Sequence, residues 1–431
     1  MLITASSSSF WGYLERALNR EEVTPSLLEL AVHYKLPKAL EHQLGMFEQG
    51  SEQWLVTLKT LAKDKPNYAL VLGQHYQNSG QLRQAKLWLT PHLMHTKVRH
   101  QFAEILTAQG RLSQAFELIM QDEQLHSTDL SLELAVALGE TKFINQLVET
   151  PDFKKQQYDK LANLGFFKLF SNRNEIVMSQ QPAKQCTNSI AVVATTLNDF
   201  KRADTLFNQL DGSAMGELFC VVQRQYIPIT WFDCQLTQGQ PILCDEFLWY
   251  QISEVIEADY VVTLLPEDGA NVYRGVMYLD RSDTHQVLAH ELAHFIGFID
   301  EYAVRENHEL CLKAPNSPGN NIVVFSEDAS NLSRNELLQH IPWAPFISPE
   351  TPLWQDENGR KKLGTPKQYA GNVGLYLSET CQRSQFIAYK PVIELGMMRY
   401  FEQPMPDFYL RLLAQLGAQY RQPTFATNYS Q

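Results

Sequence analysis

Apolar positions in the first half of the chain recur three and four residues apart, the spacing of one helix face, and glycines interrupt them. Tyr68–Ser79 carries such a stripe, Gly80 breaks it, and Gln81–Leu89 resumes it with Leu82, Ala85 and Leu89. Val98–Gln109, Gly110 and Arg111–Met120 repeat the scheme with Leu112, Ala115 and Leu118. Gly80 and Gly110 lie 30 positions apart, and so do Ala85 and Ala115. Ile190–Leu197, Asn198-Asp199 and Phe200–Leu210 read as a further copy, with Ala203 after the turn. Leu27–Tyr34, followed by Leu36, Ala39 and Leu40, reads as a weaker one. A small alanine beside a turn lets two antiparallel helices approach closely, and stacked hairpins bury a face that one pair alone cannot.

The pattern changes near Asp211-Gly212-Ser213. Cys220–Val222, Tyr226–Trp231, Phe247–Tyr250 and Tyr260–Leu265 are short and rich in β-branched and aromatic residues, which predicts strands. Asn271–Asp280 follows as a strand that can serve as an edge for an extended peptide. Thr284–Ile296 then shows a helical stripe of Val287, Leu288, Leu292 and Phe295. The expected fold class is α+β: an all-α hairpin-repeat domain over residues 1–212, then a mixed-sheet domain over residues 213–431.

Length and composition narrow the partners. A chain of 431 residues exceeds one ordinary core. A formal charge of −12 argues against nucleic acid as a main partner, because phosphate contacts need clustered Lys and Arg. No apolar run approaches the roughly 20 residues of a membrane span. The N-terminus lacks a basic region and an unbroken apolar core, so the expectation is a cytoplasmic protein, or a secreted one if a preceding segment has been removed. Cys186, Cys220, Cys234, Cys244, Cys311 and Cys381 form no close C-x-x-C pair, so a cysteine metal site is not expected. Cys311 and Cys381 could pair in an exported protein; without a signal segment, free and partly buried thiols are the expectation.

Chemistry concentrates in residues 290–302, His-Glu-Leu-Ala-His-Phe-Ile-Gly-Phe-Ile-Asp-Glu-Tyr. On a helix His290 and His294 leave one face a turn apart and can fill two corners of a tetrahedral zinc site. Glu291 stands where it can take a proton from an attacking water. Gly297 can turn the chain off the helix and present Asp300 as third ligand, with Glu301 as its rival. Three protein ligands leave one corner open, as catalysis requires. His285, His308 and His340 show no ligand spacing, and Tyr302 is expected to pack. Leu395-Gly-Met-Met-Arg-Tyr400 resembles the methionine turn of metzincins, with Met398 and Tyr400 in their Met-x-Tyr form; the resemblance implies an apolar floor beneath the site and Tyr400 as an oxyanion donor. The long stretch from Cys311 to Gly371, rich in Pro, Asn and Gly, is expected to loop over the cleft.

Taken together, residues 290–302 resemble the signature of the IgA-specific metallo-endopeptidase family. Ile341-Pro-Trp-Ala-Pro-Phe-Ile347, Val373-Gly-Leu-Tyr376, Ala388-Tyr-Lys-Pro391 and Met397-Met-Arg-Tyr400 resemble segments of that family in the same order. The resemblance covers roughly residues 255–415. It implies a metzincin-like zinc endopeptidase with His290, His294 and Asp300 as ligands, Glu291 as base and a peptide or protein as substrate. Two departures stand out. One residue fewer than usual separates His294 from Asp-Glu-Tyr, which keeps Asp300 and Glu301 both in play. Leu377-Ser-Glu-Thr-Cys-Gln-Arg383 replaces a glycine-rich stretch, so substrate preference does not carry over, and nothing here points to immunoglobulin. The helical half is similar to degenerate tetratricopeptide repeats, with an irregular bundle as the alternative, and its expected use is scaffolding or protein binding. Two other functions share these residues: a catalytically silent scaffold, and a zinc hydrolase acting on a non-peptide bond.

Overall fold

The computed structural model describes residues 12–14, 16–17, 24–170, 187–235, 241–265, 269–357, 359–416 and 419–429. The chain divides into two compact units, Met1–Gln157 and Tyr158–Gln431. The boundary expected at residue 212 therefore moves to Gln157. The cause is Asn188–Ala194, expected to be helical, which is a strand at the heart of the second unit's sheet. A fully buried parallel strand reads as one continuous apolar run, which periodicity cannot tell from a buried helix.

In the first unit helices follow one another: α1 (Pro25–His33), α2 (Pro37–Met46), α3 (Glu52–Ala62), α4 (Pro66–Asn78), α5 (Leu82–Leu89), α6 (Thr96–Ala108), α7 (Leu112–Met120), α8 (Asp129–Leu138) and α9 (Thr141–Val148). Ala85 and Ala115 are fully buried, as a close helix approach demands. The α4–α5 and α6–α7 turns place Gly80 and Gly110 at φ near +71° and +72°, the left-handed conformation that ends helices. Gly139, between α8 and α9, does the same at +77° and marks a hairpin the sequence reading passed over.

The second unit is built on a five-stranded sheet. Its strands are β1 (Asn188–Ala194), β2 (Phe219–Tyr226), β3 (Tyr260–Leu265), β4 (Asn271–Tyr273) and β5 (Val276–Asp280), in the order β2-β1-β3-β5-β4. The first four in that order run parallel, with Val192 opposite Val262 and Val262 opposite Met277; β4 alone is antiparallel. The run expected as one edge strand, Asn271–Asp280, is thus a hairpin. Arg274 and Gly275 both take positive φ, 49° and 80°, as a two-residue hairpin turn requires. Of the two hairpin strands, β4 lies at the edge and β5 is interior. Residues 247–250, expected as strand, belong instead to α11 (Glu246–Ile252), because Asp245 caps its first turn.

α10 (Leu197–Gln209) connects β1 to β2, and α12 (His285–Phe295), which carries the histidines, follows β5. Trp249, Tyr278, Val193 and Phe425 cluster in one core beside the sheet, with the Trp249 indole donating to the Tyr278 hydroxyl at 3.0 Å. Tyr260 of β3 stacks on Phe295 at the end of α12, with centroids 4.2 Å apart. Such a stacked pair adds about 0.5–1.5 kcal/mol beyond burial and pins that end of the helix to the sheet.

The segment after α12 is not all loop. β6 (Val323–Phe325) is fully buried and joins β7 (Tyr376–Ser378) and β8 (Ile387–Lys390) in a small antiparallel sheet ordered β7-β8-β6. α13 (Asp407–Leu416) follows, and a short last helix, Phe425–Tyr429, packs into the core beside the sheet. No described helix is long and apolar enough to cross a membrane.

The cysteines are not free thiols, as had been expected. Cys234 bonds Cys244, Cys311 bonds Cys381, and Cys220 is also disulfide-bonded. Cys311 and Cys381 lie far apart in sequence, but pairing around β6, β7 and β8 brings their Cα atoms to 5.6 Å. This link closes a loop spanning 70 positions, and the chain-entropy relation gives it about 4 kcal/mol of stabilisation. Replacing Cys311 and Cys381 together with Ala is expected to lower the unfolding free energy by about 2–4 kcal/mol in urea titrations. A variant as stable as the parent would count against the bond.

Candidate metal centre

α12 begins at Thr284, whose hydroxyl accepts from the Val287 N–H, and ends in a turn built on Gly297. There the Phe298 N–H donates to the Ala293 carbonyl at 3.1 Å and the Gly297 N–H to the His294 carbonyl at 3.0 Å, the paired bonds of a Schellman cap. Gly297 has φ +88°, and a Cβ there would come within 2.2 Å of the Tyr420 carbonyl oxygen. Both conformation and space demand glycine. The Asn320 amide donates to the Ile296 carbonyl at 2.7 Å and closes the helix end.

Beyond this turn the chain folds back and brings Asp300 over the helix face. Its Oδ1 lies 3.1 Å from His290 Nε2 and 3.4 Å from His294 Nε2. Donors spread tetrahedrally about a zinc ion at about 2.0–2.1 Å stand roughly 3.3–3.4 Å apart, close to the two separations that Asp300 makes with the histidines. The far sides of both rings are occupied. His290 Nδ1 donates to the Met397 carbonyl at 2.8 Å, and His294 Nδ1 donates to the Phe298 carbonyl at 2.9 Å. In the neutral rings these bonds leave both Nε2 lone pairs facing the carboxylate, the tautomer a metal ligand needs.

Three lone pairs at such distances repel unless a positive charge stands among them. Asp300 Oδ1 is buried without a well-formed hydrogen bond. Burial opposes a proton on His294, but the Asp300 charge overcomes this and pushes its pKa up to about 10. Burial alone would raise the Asp300 pKa, yet the two histidines carry it well below the usual carboxylate range.

Glu291 lies beside this group, with ligand-type atoms of His290, Glu291 and His294 all within 4.8 Å of one another. That cluster takes in Glu291 where the closer contacts take in Asp300. Asp300 is the better third donor, because its oxygen touches both Nε2 atoms. Glu291 Oε2 is buried with no hydrogen-bond partner among the described residues. Burial raises its pKa against the pull of His294 and His290, which suits a group that must accept and return a proton.

The rival ligand Glu301 faces away. Its carboxylate accepts from Lys390 Nζ at 2.7 Å, from Asn321 Nδ2 at 3.0 Å and from the Tyr409 hydroxyl. The methionine turn lies where expected, and the carbonyl of Met397 supports His290 while Met398 is fully buried. Tyr400 shares that turn. Its ring lies 4.4 Å from the Arg399 guanidinium and is 43% exposed. Tyr302 lies beside the histidines: its ring is near-parallel to that of His290, with centroids 6.3 Å apart. Burial and the Asp300 charge raise its pKa. His308 is held elsewhere, its Nδ1 accepting from the Leu310 N–H.

No family model matches the chain, and no curated protein is significantly similar to it.

Gly297→Ala is expected to cost about 2–4 kcal/mol, from positive φ and backbone overlap together. Gly110→Ala, where φ is equally positive but no atom lies near the added Cβ, is expected to cost about 1 kcal/mol. Equal losses in urea unfolding would show that the Tyr420 contact does not matter.

Proposed function

We propose that this chain is a zinc-dependent peptidase of metzincin-like zincin architecture, with His290, His294 and Asp300 as ligands and Glu291 as general base. The observation that carries the reading is the convergence of His290 Nε2, His294 Nε2 and Asp300 Oδ1, with both Nδ1 atoms engaged and Glu291 Oε2 unpaired beside them. Zinc held there supplies Lewis acidity, acidifying a water molecule and polarising the scissile carbonyl. Glu291 accepts the proton of the attacking water and delivers it to the leaving amine. Met397 and Phe298 carbonyls hold the imidazoles in the binding tautomer. β4, at the sheet edge beside α12, offers backbone groups for an extended substrate, which favours a peptide over other hydrolysable bonds.

The motif and the segments that follow it in order favour kinship with the IgA-specific metallo-endopeptidases, without their substrate. The disulfides favour an oxidising compartment. The helical unit is proposed as a tetratricopeptide-like surface for a protein partner. Of two candidate oxyanion donors, Tyr400 has the Met-x-Tyr spacing in its favour and Tyr302 has its place beside His290 and Asp300.

Purified protein is expected to carry about one zinc per chain and to cleave casein, and a chelator should stop the cleavage. Glu291→Gln should keep the zinc and lose about 10²–10⁴-fold in rate, whereas Asp300→Ala should lose the metal itself. Undiminished casein cleavage by Glu291→Gln would sink the mechanism. Tyr302→Phe should lower kcat more than Tyr400→Phe at similar KM, and the reverse order would return the oxyanion role to Tyr400.

A further inference from the structure

Glu301 and Lys390 form an ion pair whose side chains are 1% and 4% exposed, some distance in sequence from each other and with no part in the chemistry above. Isolated charges are not left this deep without purpose or partners, and each contact the pair makes leads to the support of a different metal-site residue. Lys390 Nζ also donates to the Glu394 carbonyl at 2.7 Å, three residues before the Met397 carbonyl that holds His290. The Glu301 N–H donates to the Met398 carbonyl at 2.8 Å, tying the segment that carries Asp300 directly to the same turn. The Tyr409 hydroxyl donates to Glu301 Oε1, while its ring stacks on Phe298 at 5.2 Å, the residue whose carbonyl holds His294. Asn321 bonds Glu301 through its amide and clamps the Ile299 backbone from both sides, at 2.8 and 2.9 Å.

We propose that the buried Glu301–Lys390 pair, with Tyr409 and Asn321, is a positioning device that sets the separation of Asp300, His290 and His294, and so the affinity of the site for zinc. The inference rests on the zinc reading of those three residues. A charge pair suits the task better than apolar packing because it is directional. Lys390 on β8, Tyr409 on α13, Asn321 and the Met398 carbonyl can all satisfy Glu301 at once in only one arrangement. Outer-shell groups of this kind typically alter metal affinity 10- to 100-fold when removed.

The test compares zinc affinity, by competition with a chromophoric chelator, with thermal unfolding of the metal-free protein and with the visible absorption of the cobalt(II)-substituted form. K390M strands a buried carboxylate, so both folding stability and zinc affinity should drop. The paired change E301Q/K390M removes both charges and should recover most of the melting temperature. Its zinc affinity is nonetheless expected to stay at least about 10-fold below wild type, with altered cobalt bands. If the pair serves stability alone, zinc affinity will recover with the melting temperature in the double variant, and that result overturns the proposal. Unchanged affinity in K390M overturns it too. Failure of the reading beneath it shows differently: the wild-type chain then takes up no zinc, and both fall together.

Discussion

Holding one carboxylate oxygen 3.1 and 3.4 Å from two imidazole nitrogens is electrostatically costly unless a positive charge joins them, and most of the second unit's architecture serves to enforce it. The rings cannot rotate away, because each Nδ1 is tied to a backbone carbonyl. The aspartate cannot swing out, because the residue after it is anchored in a buried ion pair. The helix cannot shift along the sheet without breaking the Tyr260–Phe295 stack. A cation turns this repulsion into attraction, so stability and binding at the centre are linked.

Much of this restraint is carried by backbone groups. Two of the three candidate ligands are oriented by carbonyls of Met397 and Phe298, and the Schellman turn at Gly297 reverses the chain through two amide bonds. Backbone acceptors are placed by local conformation rather than by side-chain identity, which makes the geometry robust to many substitutions but intolerant of any Cβ at Gly297. The neighbouring residues Asp300 and Glu301 divide the work. One faces the histidines; the other faces Lys390, so the two side chains alternate in direction.

This alternation also resolves the shortened spacing between His294 and Asp-Glu-Tyr. The spacing left Asp300 and Glu301 as rivals because a turn of unknown form can aim either. Once the Schellman cap sets the exit direction and Asn321 clamps Ile299, Asp300 is the residue brought over the helix.

His290, Glu291, His294, Gly297 and Asp300 were legible in the amino-acid order, because helix periodicity and glycine turns act over a few residues. The same locality exposed the hairpins about Gly80 and Gly110. It failed for Asn188–Ala194, where burial on both faces of a parallel sheet erases the pattern that separates strand from helix. It also failed for Phe247–Tyr250, where a capping Asp245 outweighed aromatic strand preference. Lys390, Asn321, Tyr409 and the Cys311–Cys381 bond left no local signal. They come together because β6, β7 and β8 pair across distant stretches of chain and α13 packs beside them, and such packing is decided by the whole unit rather than by any neighbour in sequence.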